Sequence, residues 1–151
     1  MTSDFEYVLL ADKQVSVKRG DIFASGAQCL VVPVNTIGVA GKGLALQFRK
    51  RFPSWYASYQ ERCRQRIYDA GDFLAIPVKN GAVMVGEFYT KTHWRDPSYL
   101  RHISTGLIDL AHEYRSLGMG SIAVPPVGCG LGGLDWDEVK PLVVSCLLSL
   151  R

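Results

Sequence analysis

Two glycine-rich segments have the composition of backbone cradles for anions. The first, VNTIGVAGKGLALQFRKRFP (residues 34–53), places Gly38, Gly41 and Gly43 just before an amphipathic helical pattern that begins at Leu44. The second is VPPVGCGLGGLDW (residues 124–136). Glycine lets backbone N–H groups converge on anionic oxygens, and the positive end of a following helix adds to the attraction. These segments therefore predict a bound phosphate group.

Neither segment is a complete copy of a common nucleotide motif. A P-loop requires G-x-x-x-x-G-K-[ST], but Lys42 is followed by Gly43, so no hydroxyl is placed to bind magnesium. Gly128, Gly130 and Gly133 match GxGxxG, yet that fingerprint opens the first βαβ unit of a dinucleotide fold, and this match lies near the end of the sequence. We therefore expect neither a P-loop NTPase nor a Rossmann dehydrogenase.

The surrounding elements decide whether the two segments meet. Period-two or β-branched runs predict strands at Glu6–Leu10, Gln14–Lys18, Cys29–Val34, Phe73–Val78, Ala82–Phe88 and Ser121–Val124. Helical spacing predicts helices over Leu44–Phe52, after Pro53, from beyond Pro97 to Leu117, and over Trp136–Leu150. This alternation predicts an α/β fold with three layers, α/β/α, around a central mixed sheet. Both glycine segments would then lie at the same sheet edge and hold one ligand between them.

Composition is typical of one packed domain. The 151 residues are 48% hydrophobic and 21% charged, with a net charge of +3. We predict a single domain over residues 1–151, and the apolar last helix without a closing strand indicates a piece of a longer protein. The sequence has no stretch long enough to span a membrane and no signal-peptide pattern, so we expect a cytoplasmic protein with no membrane partner.

Metal-ligand patterns are absent from the sequence. The cysteines are widely spaced, without a CxxC pair or zinc spacing to a histidine: Cys29, Cys63, Cys129 and Cys146. We expect reduced thiols, no metal and no cofactor. Cys129 lacks a recognisable His–Asp partner, which favours a packing role over a nucleophilic one.

Basic residues are concentrated in one stretch. Residues 42–66 contain one acidic residue, Glu61, and seven basic ones: Lys42, Arg49, Lys50, Arg51, Arg62, Arg64 and Arg66. A basic helical surface is usually only solvated, but it is also how a protein attracts a polyanion. The sequence leaves both interpretations open.

Four motifs together resemble the macrodomain family, whose members bind ADP-ribose. They are GDI (residues 20–22), the first glycine segment, TKTHWRDPS (residues 90–98) and the second glycine segment. They follow one another in the family's order and cover the chain from about Ser16 to Val139. The resemblance is strongest to the branch that contains the DarG antitoxins and the terminal ADP-ribose glycohydrolases. It implies that the first loop holds the diphosphate and distal ribose of ADP-ribose.

The resemblance also implies roles for individual residues. Asp21 is expected to accept a hydrogen bond from the adenine amino group, and Ile22 to contact the ring through its backbone. Asn35 is expected to hydrogen-bond the distal ribose. The implied walls of the diphosphate site are Gly41, Lys42, Gly43, Leu44 and Ala45 on one side and Val127, Gly128, Cys129, Gly130, Leu131 and Gly132 on the other. Lys42 is equally well explained as a solvated side chain.

Lys91 stands where the family has its catalytic lysine, and we expect it to act with Asn35 at the anomeric carbon. A lysine amine attacks that carbon only when neutral, and burial or the neighbouring His93 and Arg95 would lower its pKa. The alternative is a surface lysine that pairs with phosphate.

The implied activity is removal of ADP-ribose from thymidine bases of single-stranded DNA, which opposes a DarT-type toxin that would bind a region outside this chain. Relatives that hydrolyse glutamate esters carry an acidic residue where this chain has Gly132, which argues against that mechanism. Glu87 and Tyr89 depart from the DarG pattern and leave the fine substrate preference open. Tyr89 and Trp94 are candidates for stacking on bases. A hydrolase of protein-linked or O-acyl ADP-ribose esters and a non-catalytic reader of ADP-ribose remain as alternatives.

Overall fold

The computed structural model describes residues 4–151, so residues 1–3 of the predicted domain lie outside the described part. Its central layer is a six-stranded mixed sheet in the order β2-β1-β6-β3-β5-β4. The strands are β1 (Asp4–Ala11), β2 (Gln14–Asp21), β3 (Cys29–Asn35), β4 (Phe73–Val78), β5 (Val83–Lys91) and β6 (Ser121–Val124). β3 runs parallel to β5 and β6, whereas the β1–β2, β1–β6 and β4–β5 pairs are antiparallel. Each predicted strand is confirmed in position.

The helices are α1 (Gly43–Arg51), α2 (Pro53–Arg64), α3 (Leu100–Ser116) and α4 (Trp136–Leu148). Pro53 occupies the first turn of α2, where its missing N–H costs nothing. The Asp135 carboxylate caps α4 by accepting the N–H of Asp137 at 2.9 Å. Leu150, predicted inside the last helix, lies beyond its end. In the described part of the chain, no helix is long and apolar enough to cross a membrane.

Two hydrophobic clusters fill the space between the sheet and the helices. Alternate residues of β3 point to opposite faces, so that Val31 joins one cluster and Val32 the other. Ile103 of α3 and Val143 of α4 belong to the cluster of Val31, and Trp55 of α2 belongs to that of Val32. The predicted three-layer α/β/α architecture is confirmed.

The carboxyl ends of β3, β5 and β6 meet at one edge of the sheet because these strands are parallel. Glycine loop 1 (residues 36–42) leaves β3 there, the linking segment (residues 92–99) leaves β5, and glycine loop 2 (residues 125–135) leaves β6. A register shift after Val34 pairs Asn35 with Lys91, which is the last residue of β5 rather than a residue beyond it. The topology therefore places both predicted catalytic side chains on adjacent strand ends.

Candidate ligand-binding site

A cleft of about 680 Å³ opens at this edge, a volume within the range of small-molecule sites. Most predicted site residues line it: Asn35, Gly41, Lys42, Gly43, Leu44, Ala45, Lys91, Gly128, Cys129, Gly130, Leu131 and Gly132. The structure thus brings together residues separated by about ninety positions in the sequence. It also adds Phe5, Thr90, Trp94 and Ser98 to the wall.

Three predicted ligand residues are not part of this wall. Val127 and Ile22 are fully buried, each in a hydrophobic cluster on a different face of the sheet. For the Val127 side chain a packing role replaces the predicted ligand contact. The exposed Asp21 accepts the N–H of Phe23 at 2.9 Å, and its neighbour Gly20 pairs with Phe5 at the cleft. An adenine contact by Asp21 and by the Ile22 backbone stays a prediction.

The amino end of α1 forms the first wall of the cleft. No side chain caps this helix, and its first turn contains no acidic residue. The first N–H groups of a helix have no partner within the helix, and here Gly43, Leu44 and Ala45 carry them into the cleft. Gly43 has a φ of +60°, a backbone conformation that residues other than glycine rarely adopt. This end of α1 is therefore suited to an anionic oxygen.

Glycine loop 2 forms the opposite wall. The Gly128 carbonyl accepts the N–H of Leu134 at 3.0 Å, which closes the loop on itself. A Cβ at Gly128 would lie 2.9 Å from both Ile103 and Leu134, so only glycine fits there. The N–H of Leu131 has no acceptor among residues 4–151. The two walls thus present unpaired donors toward the same space.

Asn35 organises glycine loop 1 from inside the protein. Its Oδ1 accepts the N–H groups of Ile37, Gly38 and Val39 at 3.1–3.2 Å, and its Nδ2 donates to the Val39 carbonyl at 2.9 Å. The side chain is buried. Only the second hydrogen of Nδ2 remains for a ligand, so shaping the loop is the main role that the structure shows for Asn35.

Tyr59 holds Asn35 in this position. Its hydroxyl donates to the Asn35 carbonyl at 2.6 Å and lies 3.1 Å from Oδ1. Its ring stacks on Trp55, with the ring centroids 5.3 Å apart. The sequence contains no signal for this role, because the i, i+4 spacing of Trp55 and Tyr59 indicates only a buried helical face.

Lys91 is half-buried at the end of β5 and lines the cleft. Its amine has no hydrogen bond or ion pair within the described residues. Burial lowers the pKa of Lys91 below its ordinary 10.5, and the charge of Asp96 works in the opposite direction. Of the two causes of a lowered pKa that the sequence suggested, burial acts on Lys91, whereas His93 and Arg95 are not among the causes. The amine is thus biased toward the neutral form that a nucleophile requires.

β5 also carries a buried carboxylate, that of Glu87, which lies before Lys91 on the same strand. Glu87 is completely buried and accepts from Trp55 Nε1 at 2.8 Å, from Tyr89 Oη at 2.7 Å and from Arg62. Tyr89 is also completely buried, so the proposal that it stacks on bases is wrong. Arg62 is engaged with Glu87 and does not belong to a free basic surface.

Cys129 does not have the character of a nucleophile. Burial raises the pKa of its thiol to about 11, and its Sγ lies 3.7 Å from the Val127 carbonyl. Within residues 4–151, no group of three His, Cys, Asp or Glu side chains is placed to hold a metal ion. The polar groups that line the cleft include backbone donors, the Asn35 amide, the Lys91 amine and the hydroxyls of Thr90 and Ser98.

Comparison with known proteins gives one family. A model described as "Macro domain" matches residues 31–143. A DNA ADP-ribosyl glycohydrolase of Mycobacterium tuberculosis is 41% identical over 138 residues, which are 90% of this chain but 39% of that protein. The chain thus spans about two-fifths of the length of the curated relative.

Solved structures agree in fold. The macrodomain of Mycobacterium tuberculosis DarG is 41% identical, with a TM-score of 0.83 over 87% of this chain and 88% of that one. Thermosipho africanus DarTG in complex with ADP-ribose is 36% identical, with a TM-score of 0.84 over 94% of this chain and 40% of that one.

Proposed function

Because the chain belongs to the macrodomain family, we propose that it binds ADP-ribose in the cleft and removes ADP-ribose from thymidine bases of single-stranded DNA. The observation that carries the proposal is the pair of facing walls, α1 and glycine loop 2, whose unpaired N–H groups suit the two phosphates of a diphosphate. The names of the relatives at about 40% identity support the DNA substrate.

In the proposed mechanism, binding and chemistry are carried by different residues. The walls hold the diphosphate. Lys91 and the second N–H of the Asn35 side-chain amide contact the distal ribose at the paired ends of β3 and β5. The neutral amine of Lys91 attacks the anomeric carbon, the bond from that carbon to the thymidine nitrogen breaks, and the base takes up the proton that the amine loses. Water then releases free ADP-ribose and restores the amine.

The Lys91 role is tested by comparing rate with affinity. Lys91→Ala is expected to lower turnover of thymidine-modified DNA by orders of magnitude while calorimetry shows little change in ADP-ribose affinity, because the walls are untouched. Lys18→Ala, on the exposed face of β2, is the matched control. Equal losses of affinity and rate would make Lys91 a binding residue only.

The substrate class is tested by offering two substrates to the wild-type protein. Release of free ADP-ribose from thymidine-modified single-stranded DNA, with none from glutamate-modified protein, is expected. Release only from the modified protein would identify an ester hydrolase, and binding without release from either would identify a reader. The same reaction in the presence of a chelator is expected to proceed unchanged, since the proposed chemistry uses no metal.

A second, smaller cavity beside the ends of β3 and β5 suits the DNA backbone. It measures about 470 Å³ and is lined by Thr36 and Thr92, which directly follow Asn35 and Lys91, and by Arg64 and Arg66. We propose that phosphates of the DNA strand lie here, because the described lining contains no acidic side chain. The proposal gives Trp94, which is about 40% exposed and lines the cleft, the role of stacking on a base.

The DNA surface is tested by titrating single-stranded DNA at several salt concentrations. Arg64→Ala/Arg66→Ala is expected to weaken DNA binding and to reduce its salt dependence, with ADP-ribose affinity unchanged. Lys18→Ala/Arg19→Ala removes the same charge from β2 and serves as the control. Equal weakening by both double variants would indicate only a general charge effect.

We also propose that a DarT-type toxin is the partner of the full-length protein and binds outside residues 1–151. The support is that the chain spans only about two-fifths of the Mycobacterium tuberculosis relative. Capture of the toxin by the 151-residue chain alone would contradict this assignment.

A further inference from the structure

The Ser98 hydroxyl is a polar group at the cleft that no interaction of the fold explains. Ser98 lines the cleft and is only 4% exposed. Its Oγ has no hydrogen-bond partner within the described part of the chain. A buried hydroxyl without a partner costs free energy, and native proteins rarely retain one without a bound water or ligand to satisfy it.

The position of this hydroxyl is fixed by glycine loop 2. The Ser98 N–H donates to the Gly132 carbonyl at 2.8 Å, which holds the linking segment against the loop. A Cβ at Gly132 would lie 2.5 Å from Ser98 Oγ, so the hydroxyl occupies the space that a side chain at position 132 would take. The hydroxyl therefore lies buried against the bare backbone of Gly132, at the wall of the cleft.

The location favours the sugar over the diphosphate as the bonding partner. The cleft is lined by Lys91, Trp94 and Ser98, which follow one another along a short stretch of chain. This stretch begins at Lys91, the residue proposed to attack the distal ribose. In the proposed binding mode, the phosphate oxygens face the N–H groups of α1 and glycine loop 2. A neutral hydroxyl, which both donates and accepts, matches the hydroxyls of a ribose.

We infer that Ser98 binds the distal ribose of ADP-ribose through its hydroxyl, as a further recognition residue of the cleft. This inference rests on the proposed function, because it requires ADP-ribose as the ligand. It assigns to the linking segment a direct part in binding, in addition to carrying the chain from β5 to α3.

The test compares ADP-ribose with ADP, which lacks the distal ribose. In calorimetry, Ser98→Ala is expected to weaken ADP-ribose binding about 3- to 10-fold, the effect of one hydrogen bond, and to leave ADP binding unchanged. Ser98→Cys keeps the shape but donates weakly and should behave in the same way. Ser104→Ala, exposed on α3, is the control.

The possible outcomes separate the inference from the proposed function. Unchanged ADP-ribose affinity in Ser98→Ala would overturn the inference. Equal losses for ADP and ADP-ribose would also overturn it, since they would show that Ser98 only supports glycine loop 2. Failure of the wild-type protein to bind ADP-ribose would instead overturn the proposed function.

Discussion

Loss of the Arg62 charge should expose how strongly the buried carboxylate of Glu87 depends on it. Glu87 is completely buried, and the Arg62 side chain is 16% exposed. Arg62→Met removes the cation but keeps most of the aliphatic stem. Removal of one partner of a buried ion pair costs about 3–5 kcal/mol, because the remaining charge loses its compensation. At about 2–4 °C per kcal/mol for a chain of this size, the melting temperature should fall by about 10 °C.

A second variant separates the charge from lost packing. In Arg62→Met/Glu87→Gln the amide oxygen can accept from Trp55 and the amide N–H can donate to the Tyr89 hydroxyl, so about half or more of the lost stability should return. Arg64→Met is the control, since Arg64 pairs with Glu61 on the surface and such pairs contribute about 0–1 kcal/mol. Urea unfolding measures all three variants.

The reasoning fails if Arg62→Met costs no more than Arg64→Met, or if the double variant is no more stable than Arg62→Met. The consequences should reach the cleft as well. Trp55 links Glu87 to Tyr59, and Tyr59 holds Asn35, so Arg62→Met is expected to weaken ADP-ribose binding although it lies outside the cleft.

Three more predictions concern the cleft itself. Tyr59→Phe removes the hydroxyl that holds the start of glycine loop 1, and should cost about 1–3 kcal/mol in urea unfolding, with weaker ADP-ribose binding by calorimetry. Gly132→Ala places a methyl group against Ser98 Oγ and should cost about 1–3 kcal/mol, also by urea unfolding. The single-turnover rate should rise with pH as the Lys91 amine loses its proton, with a midpoint below 10.5, because burial lowers its pKa. Asp96→Asn removes the charge that raises this pKa, so the midpoint of the pH–rate profile should move to lower pH. An unchanged profile would show that the pH dependence of the rate does not come from the titration of Lys91.

The layers of the fold could be predicted because each element has its own local signal. The period-two runs identified the strands, and the recurrence of Phe48, Phe52 and their neighbours identified the helices. The strand ends were less well predicted. Asn35 and Lys91 interrupt the apolar pattern, so the sequence predicts that both strands end before them. The backbone pairing of β3 and β5 instead continues to Asn35 and Lys91.

The contacts beneath the site could not be predicted from the sequence. Arg62 looks like any other cation of the basic stretch until the fold places it beside Glu87, which is 25 residues away. Tyr89 has an aromatic ring that could stack on a base. The alternation of buried and exposed side chains along β5 does not hold near its end, however, and residues 85–90 are all buried. Ionic pairing and burial depend on elements that meet only in the folded chain, and a local pattern contains no information about them.

Glycine at position 132 has a physical reason beyond the missing carboxylate. From the sequence, the absence of an acid there argued only that a glutamate-ester mechanism lacks a residue. In the structure, the space beside Gly132 is filled by Ser98, whose N–H is bonded to the Gly132 carbonyl. An acidic side chain at position 132 would therefore displace Ser98 and the linking segment that follows Lys91. The residues at positions 98 and 132 are coupled by packing, so a larger side chain at position 132 requires a change at position 98 as well.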